Sequence, residues 1–312
     1  MIEVMRAGPL TTVQDLGREA WRDRGISRCG ALDDLALIHG NLLVGNPPDA
    51  AGLEFTLGPA TLRFDADCCI AVTGTDSDAL LDGRALRPGW RQPVLAGQTL
   101  RIAAPHGRMR SYLAISGGIA VEPVLGSRST DLKAGFGGLN GRALRDGDRL
   151  PVQPAPSTDL PSRRIGLAPP DWDATVRALP GPEHDDFPAT ARAAFWATDW
   201  RLTPQSNRMG YRFAGPELQR AHGGELASHG VLPGVVQVPP AGQPIVLLAD
   251  AQTTGGYPKI AVVIRADLWK LAQLRLGATL RFIPCGVDEA VAALRERQAR
   301  LDQLRTALCM SI

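Results

Sequence analysis

Short apolar runs bounded by glycine or proline dominate the pattern along the chain. They are rich in Val, Ile and Leu, a composition typical of β-strands between turns. The predicted strands are LEFTLGPATLRF (53–64), CCIAVTG (68–74), QTLRIAA (98–104), SYLAISGGIAV (111–121), VVQVPP (235–240), PIVLLAD (244–250), KIAVVI (259–264) and TLRFIP (279–284). Asp82-Gly83 inside LLDGRAL predicts a two-residue hairpin turn. The pattern predicts a mostly β chain.

Helical spacing is confined to three stretches. Asp33 or Asp34 can cap a segment in which Leu35, Ile38, Leu42 and Leu43 share a face. Asp267 can cap DLWKLAQLRL, which ends before Gly277. The clearest helix starts near Asp288. Its apolar stripe is predicted to contain Val291, Leu294, Ala299, Leu301 and Leu304, and to serve packing.

A weak internal repeat and a proline-rich stretch suggest the domain organisation. GQTLRIAAP (97–105) and GATLRFIP (277–284) both place a Thr-Leu-Arg strand between a glycine turn and a proline, which indicates two related barrels, although so short an echo can arise by chance. PVQPAPSTDLPSR (151–163) is a suitable linker. We therefore predict an N-terminal barrel-like domain over 1–155, a C-terminal barrel over 156–285 and a helix over 286–312.

Composition excludes several classes of protein. The 312 residues carry a net charge of +2, which gives no general attraction to nucleic acid or membrane. No apolar run reaches the ~18 residues of a membrane span, and MIEVMRAGPL does not resemble a signal peptide. The five cysteines form no C-x-x-C pair, so we expect reduced thiols, no metal site and a cytoplasmic location.

Common catalytic motifs fail on inspection. GFGGLNG (135–141) misses the dinucleotide-binding spacing by one residue and precedes a turn. The chain has no Walker A sequence and no G-x-S-x-G elbow. Cys29 has no evident activating base, so a structural thiol is favoured over a nucleophile.

The stretch ADAQTTGGYPKIAVV (249–263) is the strongest candidate for chemistry. Only three residues of the chain are lysine, and Lys259 follows a threonine-glycine loop after Asp250. Glycine backbone and short hydroxyl donors suit a ligand with carboxylate or phosphate oxygens. Lys259 is expected to face Asp250 across the loop mouth. A plain hairpin closed by a salt bridge would give the same pattern.

Three other turns share this character. TTVQDLGR (11–18), GSRST (126–130) and SNRMGYR (206–212) each combine glycine with hydroxyl, amide or charged groups. Each could be an ordinary surface turn. Together they predict side chains that converge on one polar cleft.

These motifs carry a family resemblance. TTVQDLGR, CGALDDLALIHGNLLVGN, LEFTLGP, SGGIAVEPVLGSRST, RMGYR and VQVPPAGQPIVLLADAQTTGGYPKIAVVI are similar to the biotin-dependent carboxyltransferase-like family, which includes 5-oxoprolinase C subunits, KipA proteins and a segment of urea amidolyases. The likeness spans about residues 1 to 284. It implies a pair of cyclophilin-like β-barrels.

The resemblance also implies a function. The expected role is that of the C subunit in an ATP- and Mg²⁺-dependent 5-oxoprolinase, where it works with a KipI-like B subunit to phosphorylate 5-oxo-L-proline. A separate A subunit then opens the lactam to glutamate. Because no AMKM-like biotin-attachment sequence is present, this chain is not expected to carry biotin. The alternatives are the carboxyltransferase half of a urea or amide carboxylase and a non-catalytic regulator of a KipI-like inhibitor.

The resemblance also implies which residues of the matching motifs form the site. As catalytic groups the resemblance suggests Lys259 and Arg208 on developing phosphate charge, and Asp250 or Asp15 on the lactam N–H or a magnesium ion. The residues expected to bind substrate or nucleotide are Gln14, Asp15, Arg18, Ser127, Arg128, Ser129, Tyr211, Thr253, Thr254, Gly255, Gly256 and Tyr257. The chain departs from the family pattern at Cys29, usually Ser, and at Asn207, usually Asp. Either departure could alter the substrate.

Overall fold

The computed structural model describes residues 1–154, 164–220 and 226–309. For Cys309 it describes the backbone alone. Most of the predicted linker, 155–163, lies outside the described residues. The chain divides into two compact units. The N-terminal unit contains Met1–Arg18, Cys29–Asp171 and the chain from Asp302, and the C-terminal unit contains Glu19–Arg28 and Trp172–Leu301. The 19–28 segment and the final helix thus cross the boundaries expected from sequence.

The described strands of the N-terminal unit form two sheets. The first has the order β11-β1-β4-β9-β6-β7 and the second the order β2-β3-β10-β5-β8. The strands are β1 (Ile2–Arg6), β2 (Leu10–Gln14), β3 (Gly52–Thr56), β4 (Ala60–Phe64), β5 (Cys68–Thr73), β6 (Ala79–Leu81), β7 (Arg84–Leu86), β8 (Arg91–Val94), β9 (Thr99–Ile102), β10 (Arg110–Ile115) and β11 (Arg149–Leu150).

One apolar core joins the two sheets. Val4 and Phe64 from the first sheet and Phe55, Val72 and Leu113 from the second belong to the same buried cluster. Alternation of buried and exposed positions along β4 places one face of that strand in the core. The two sheets therefore pack face to face.

The predicted hairpin at Asp82-Gly83 is confirmed. It joins β6 to β7, and both turn residues have positive φ, 48° and 76°. Two positive φ values are what a type I′ turn requires, so glycine and aspartate are favoured there.

Helix α1 (Asp34–Leu43) packs on the second sheet. The carboxylate of Asp33 accepts a hydrogen bond of 2.8 Å from the Ala36 N–H, which confirms the predicted cap. Gly40 lies so close to the sheet that a Cβ there would be 3.0 Å from the Cβ of Ala114. The sequence did not predict the buried Glu54 carboxylate below the helix start, which accepts from Leu32 N–H and Tyr112 O–H at 2.9 and 2.8 Å.

The C-terminal unit contains a closed barrel of seven strands in the order β12-β19-β16-β17-β14-β13-β20. The barrel closes through a parallel pairing of the first and last of these strands. The strands are β12 (Thr175–Pro180), β13 (Trp200–Leu202), β14 (Gly210–Ala214), β16 (Val235–Gln237), β17 (Ile245–Leu247), β19 (Lys259–Val263) and β20 (Thr279–Pro284). A separate ribbon pairs β15 (His229–Gly230) with β18 (Thr254–Gly255). The mostly β class and the barrel are confirmed.

Three helices complete this part of the chain: α2 (Ala189–Ala197), α3 (Leu268–Ala272) and α4 (Val287–Cys309). Phe195 of α2 stacks on Phe282 of β20, with ring centroids 4.8 Å apart. The prediction that the Asp267 side chain caps this helix is wrong. The carboxylate of Asp267 binds the Arg177 guanidinium at 2.8 and 3.0 Å, and makes no capping hydrogen bond.

Helix α4 is where the sequence predicts it, but its predicted stripe is only partly correct. Val291 and Leu294 are each 41% exposed, whereas Ala293 is buried against Ile264 and Ala266. Small side chains permit that close approach, so the packed face is the alanine face. No helix in the described part of the chain has the length and apolar character needed to cross a membrane.

Candidate functional site

In the N-terminal unit, the predicted motifs QDLGR and GSRST meet around one carboxylate. Asp15 follows β2, and its oxygens accept hydrogen bonds from the hydroxyls of Ser127 and Ser129 and from the backbone N–H groups of Arg128 and Gly17. Asp15 and both serines are at most 8% exposed. Four donors on one buried carboxylate satisfy its oxygens and fix the turn.

Gln14 and Arg18 flank this network. The Arg18 guanidinium lies over the Phe136 ring, 4.8 Å from its centroid, and donates to the carbonyl oxygen of Ser129. Gln14 donates to Thr12 Oγ1 at 3.0 Å. Gln14 Oε1 and Arg18 Nη1 are buried and have no hydrogen-bond partner among the described residues. The six N-terminal residues predicted for the site therefore lie close together. Asp15 is the hydrogen-bond acceptor that holds the 127–129 turn in place.

In the C-terminal unit, Arg208 and Asp250 form a buried pair. Nε and Nη2 of Arg208 lie 2.9 and 3.0 Å from the two carboxylate oxygens of Asp250, and both side chains are 4% exposed. The Asp250 N–H also donates to the Arg208 carbonyl at 3.1 Å. The RMGYR and D-x-Q-T-T-G-G-Y motifs thus join beyond the ends of β14 and β17. Tyr211 of β14 is buried, with 1% exposure.

Asp250 and Lys259 lie at opposite ends of the barrel strands. Strands β17 and β19 are both antiparallel to β16, so they run in the same direction. Asp250 follows the end of β17 and Lys259 begins β19. The segment 248–258 is therefore a crossover from one end of the barrel to the other. The expectation of a hairpin with Lys259 facing Asp250 is wrong.

The same registers separate Lys259 from Arg208. Lys259 pairs with Gln237, and Gln237 pairs with Ile245, whereas Arg208 pairs with Asp250. At about 3.3 Å per residue, the two rows are on the order of 10 Å or more apart along the strands. The predicted convergence of both cations on one cleft is not what the topology provides.

Lys259 instead lies beside Glu183. Its Nζ is 3.7 Å from Glu183 Oε2, and the same oxygen accepts the Lys259 backbone N–H at 2.9 Å. The lysine side chain is 3% exposed, and burial lowers its pKa, an effect that the Glu183 carboxylate partly opposes. Nζ has no hydrogen-bond partner within the described residues.

Gln237 is a candidate site residue that the sequence analysis missed. It is 2% exposed, is the direct cross-strand neighbour of Lys259, and its Nε2 also lacks a hydrogen-bond partner in the described part of the chain. A Cβ at Gly255 would be only 2.7 Å from that nitrogen. A glutamine inside the apolar run VVQVPP was the available signal, because a buried amide needs partners.

The remaining predicted residues lie on the crossover. Thr254 and Gly255 pair with His229-Gly230, and the Thr253 carbonyl accepts the Val231 N–H at 2.9 Å. Gly256 and Tyr257 line a cavity of about 690 Å³ together with Phe187, Val238, Pro258 and Arg220. Tyr257 is 47% exposed. A volume of this order suits a small-molecule ligand.

The carboxylates predicted for magnesium do not fit that role. The Asp15 carboxylate accepts hydrogen bonds from four donors, and both oxygens of Asp250 bind Arg208. Neither carboxylate therefore has a pair of oxygens available to a metal ion. Among residues 1–154, 164–220 and 226–309, no three His, Cys, Asp or Glu side chains are grouped as a metal site. The unpartnered donors of Lys259 and Gln237 do fit an anionic oxygen, such as one of a carboxylate or a phosphate.

The two departures from the family pattern are local in their effects. Asn207 Oδ1 accepts the Met209 N–H at 2.8 Å, a turn contact that an aspartate would make equally. Cys29 is fully buried at φ 56°, before Gly30. Neither the amide of Asn207 nor the Cys29 thiol lies in the cavity lining described above.

Comparison with known proteins identifies the family. The model for the carboxyltransferase domain, subdomains A and B, matches residues 24–284. This chain belongs to that carboxyltransferase domain family. The resemblance expected from the motifs is confirmed.

Relatives within the family differ in length. The chain is 52% identical to the C subunit of 5-oxoprolinase from Escherichia coli, over 97% of both chains. It is 45% identical to the Haemophilus influenzae protein of the same name, over 98% of both. A putative urea carboxylase of Emericella nidulans is 32% identical over 95% of this chain but only 25% of its own length. The solved Kluyveromyces lactis urea carboxylase matches 97% of this chain and 29% of that one, with 28% identity and a TM-score of 0.90.

Proposed function

We propose that this chain is the C subunit of an ATP-dependent 5-oxoprolinase. It acts with a KipI-like B subunit to activate 5-oxo-L-proline by phosphorylation, and an A subunit then opens the ring to give L-glutamate. The observation that carries the proposal is the 52% identity to the C subunit of a 5-oxoprolinase across 97% of both chains. We place the complex in the cytoplasm, in keeping with Cys29, Cys68, Cys69 and Cys285, none of which is in a disulfide.

Lys259 is the residue that we assign to ligand contact in this reaction. A preorganised ammonium group binds an anionic oxygen of the substrate best where water is excluded. Lys259 is buried and its Nζ hydrogens have no acceptor among the described residues. ATP supplies the phosphoryl group when it is bound to the assembled subunits.

Arg208 and Asp250 have a positioning role in the proposal. Their charges already neutralise each other in a two-point contact, so the guanidinium has little capacity left for a phosphate. The pair instead anchors the start of the crossover that carries Gly255, Gly256 and Tyr257 towards Lys259.

Reconstitution tests the proposal. The chain is mixed with its candidate B and A subunits, and ATP hydrolysis and glutamate release are followed with and without 5-oxo-L-proline. We expect ATP hydrolysis that depends on 5-oxo-L-proline and on both this chain and the B subunit, and glutamate release only when the A subunit is also present. Hydrolysis that ignores 5-oxo-L-proline, or a complete lack of it, contradicts the proposal and favours a regulatory partner of a KipI-like protein.

A carboxyltransferase role is the second candidate, because urea carboxylases match nearly the whole chain. It predicts binding of a biotinylated carrier protein and transfer of a carboxyl group to urea or another amide. The same reconstitution with biotinylated carrier and urea separates the two. A 5-oxoprolinase gains nothing from the carrier, whereas a carboxyltransferase depends on it.

A further inference from the structure

Two buried donors on adjacent strands lack acceptors. Nζ of Lys259 and Nε2 of Gln237 each have no hydrogen-bond partner among the described residues, and both residues are 2% exposed. They are partners in the β16–β19 pairing, directly after a shift in its register between Val236 and Gln237. Unpartnered buried donors are costly, so two side by side indicate a place where an acceptor binds.

The surroundings define the charge of that acceptor. The ammonium group favours an anion, while the Glu183 carboxylate 3.7 Å from Nζ opposes a second negative charge. Glu183 Oε2 accepts the Lys259 backbone N–H at 2.9 Å, whereas Nζ lies 3.7 Å from it and makes no hydrogen bond among the described residues. A singly charged carboxylate therefore fits better than a phosphate dianion.

The backbone at Gly255 lies close to the side-chain amide of Gln237. A Cβ at Gly255 would be 2.7 Å from Nε2, so only glycine fits there without displacement. Val238 and Pro258, the chain neighbours of the two donors, line the cavity of about 690 Å³. Gln237 and Lys259 are not themselves in that lining, but the cavity adjoins them through their chain neighbours at the same end of the barrel.

We infer that Gln237 and Lys259 together bind the carboxylate of the small substrate, one oxygen accepting from both Nε2 and Nζ. The inference rests on the proposed function for the identity of that substrate, 5-oxo-L-proline. It makes Gln237 a substrate-binding residue and assigns Lys259 to the substrate carboxylate and not to the transferred phosphoryl group.

Binding to the isolated chain and KM in the reconstituted complex test the inference. The probes are L-5-oxoproline, 2-pyrrolidinone, which is the same lactam without a carboxylate, and inorganic phosphate. The variants are Gln237→Leu and Lys259→Met, singly and together. We expect each to weaken L-5-oxoproline binding or raise its KM at least tenfold. The double variant is expected to lose less than the product of the two, because both donors share one acceptor.

Matched controls exist in the same unit. Gln243→Leu removes a partly buried glutamine that bonds Gly215, and Lys270→Met removes a lysine already paired with Asp173. Both are expected to leave L-5-oxoproline affinity unchanged. Thermal melts and circular dichroism confirm that each variant is folded, and wild-type KM in a folded Gln237→Leu complex overturns the inference.

The probes separate this inference from the proposed function. Equal affinity for 2-pyrrolidinone and L-5-oxoproline, competition by phosphate at equal concentration, or no binding of L-5-oxoproline by either form overturns the carboxylate site. Turnover of 5-oxoproline with no effect of either variant leaves the function standing and the inference wrong. Binding that depends on both residues, without any turnover in the complex, supports the inference and contradicts the proposed function.

Discussion

Arg208 and Asp250 make a two-point ion pair, with nitrogen–oxygen distances of 2.9 and 3.0 Å and both side chains 4% exposed. Arg208 precedes β14 and Asp250 follows β17, so the pair closes one end of two neighbouring barrel strands. A buried pair in this geometry is satisfied internally. Its two members therefore depend on each other more than on any ligand.

Breaking one side of this pair should destabilise the fold. Arg208→Met or Asp250→Asn leaves the partner charge buried, and the expected loss is about 3–5 kcal/mol of unfolding free energy. Urea denaturation of each single variant and of Arg208→Met/Asp250→Asn measures it, and the double variant should lose less than the sum.

The control for that measurement is Arg281→Met. Arg281 binds Asp199 with the same two-point geometry at 2.8 and 2.9 Å, but the two side chains are 46% and 56% exposed. Its removal should cost at most about 1 kcal/mol. Equal losses at the buried and exposed pairs would show that burial is not what makes the Arg208–Asp250 contact matter.

The Asp15 network makes a second prediction. Asp15→Asn keeps the size of the side chain but turns one acceptor oxygen into a donor that faces the hydroxyls and N–H groups of 127–129. We expect a loss on the order of 2–3 kcal/mol in urea denaturation, because buried donors are left unpaired. Asp49→Asn, at an exposed position of the same unit, should change stability by less than about 0.5 kcal/mol. A neutral Asp15→Asn would mean that the turn forms without the carboxylate.

The sequence predicted the elements well and the contacts between them less well. The strand runs, the Asp82-Gly83 hairpin, the Asp33 cap and the final helix depend on local rules of turns, caps and periodicity, and these were sufficient. The direction of the 248–258 segment was not predictable in this way. Asp250 and Lys259 are nine residues apart and look like the two sides of a hairpin. Only the pairing of both flanking strands with β16 reveals a crossover.

The same limit applies to side-chain partners. Glu183 and Gln237 contact Lys259 or neighbour it in register, yet neither belongs to a charged or glycine-rich motif. Asp267 was predicted to cap a helix because its position is correct for a cap, but Arg177 from another strand binds its carboxylate. Long-range partners are set by strand register, which one sequence does not specify.

Cysteine reactivity provides a third prediction. Burial raises the pKa of the Cys68 thiol to about 12 and that of Cys69 to about 11. Since the thiolate is the reactive form, both should resist iodoacetamide at pH 8 in the folded chain and react readily after unfolding in urea. Peptide mass spectrometry of the two samples distinguishes the sites. Equal labelling of Cys68 and Cys69 before and after unfolding would contradict their burial.

The pH dependence of stability tests the burial of Lys259. Its pKa is lowered from 10.5 mainly by desolvation, so the unfolded chain binds its proton more tightly than the folded chain. The charged lysine therefore costs stability at neutral pH, and this cost disappears as the pH rises through the lowered pKa towards 10.5. The stability of the wild type relative to Lys259→Met should increase between neutral pH and pH 10.5 in urea denaturation.

Lys270→Met, which removes a lysine at a partly exposed ion pair with Asp173, serves as the comparison. Because Glu183 raises the Lys259 pKa, the Glu183→Gln background should enlarge the neutral-pH cost and start the rise at a lower pH. A difference that stays flat from pH 7 to 10.5 in both backgrounds would show that the Lys259 ammonium group is hydrated in the folded protein.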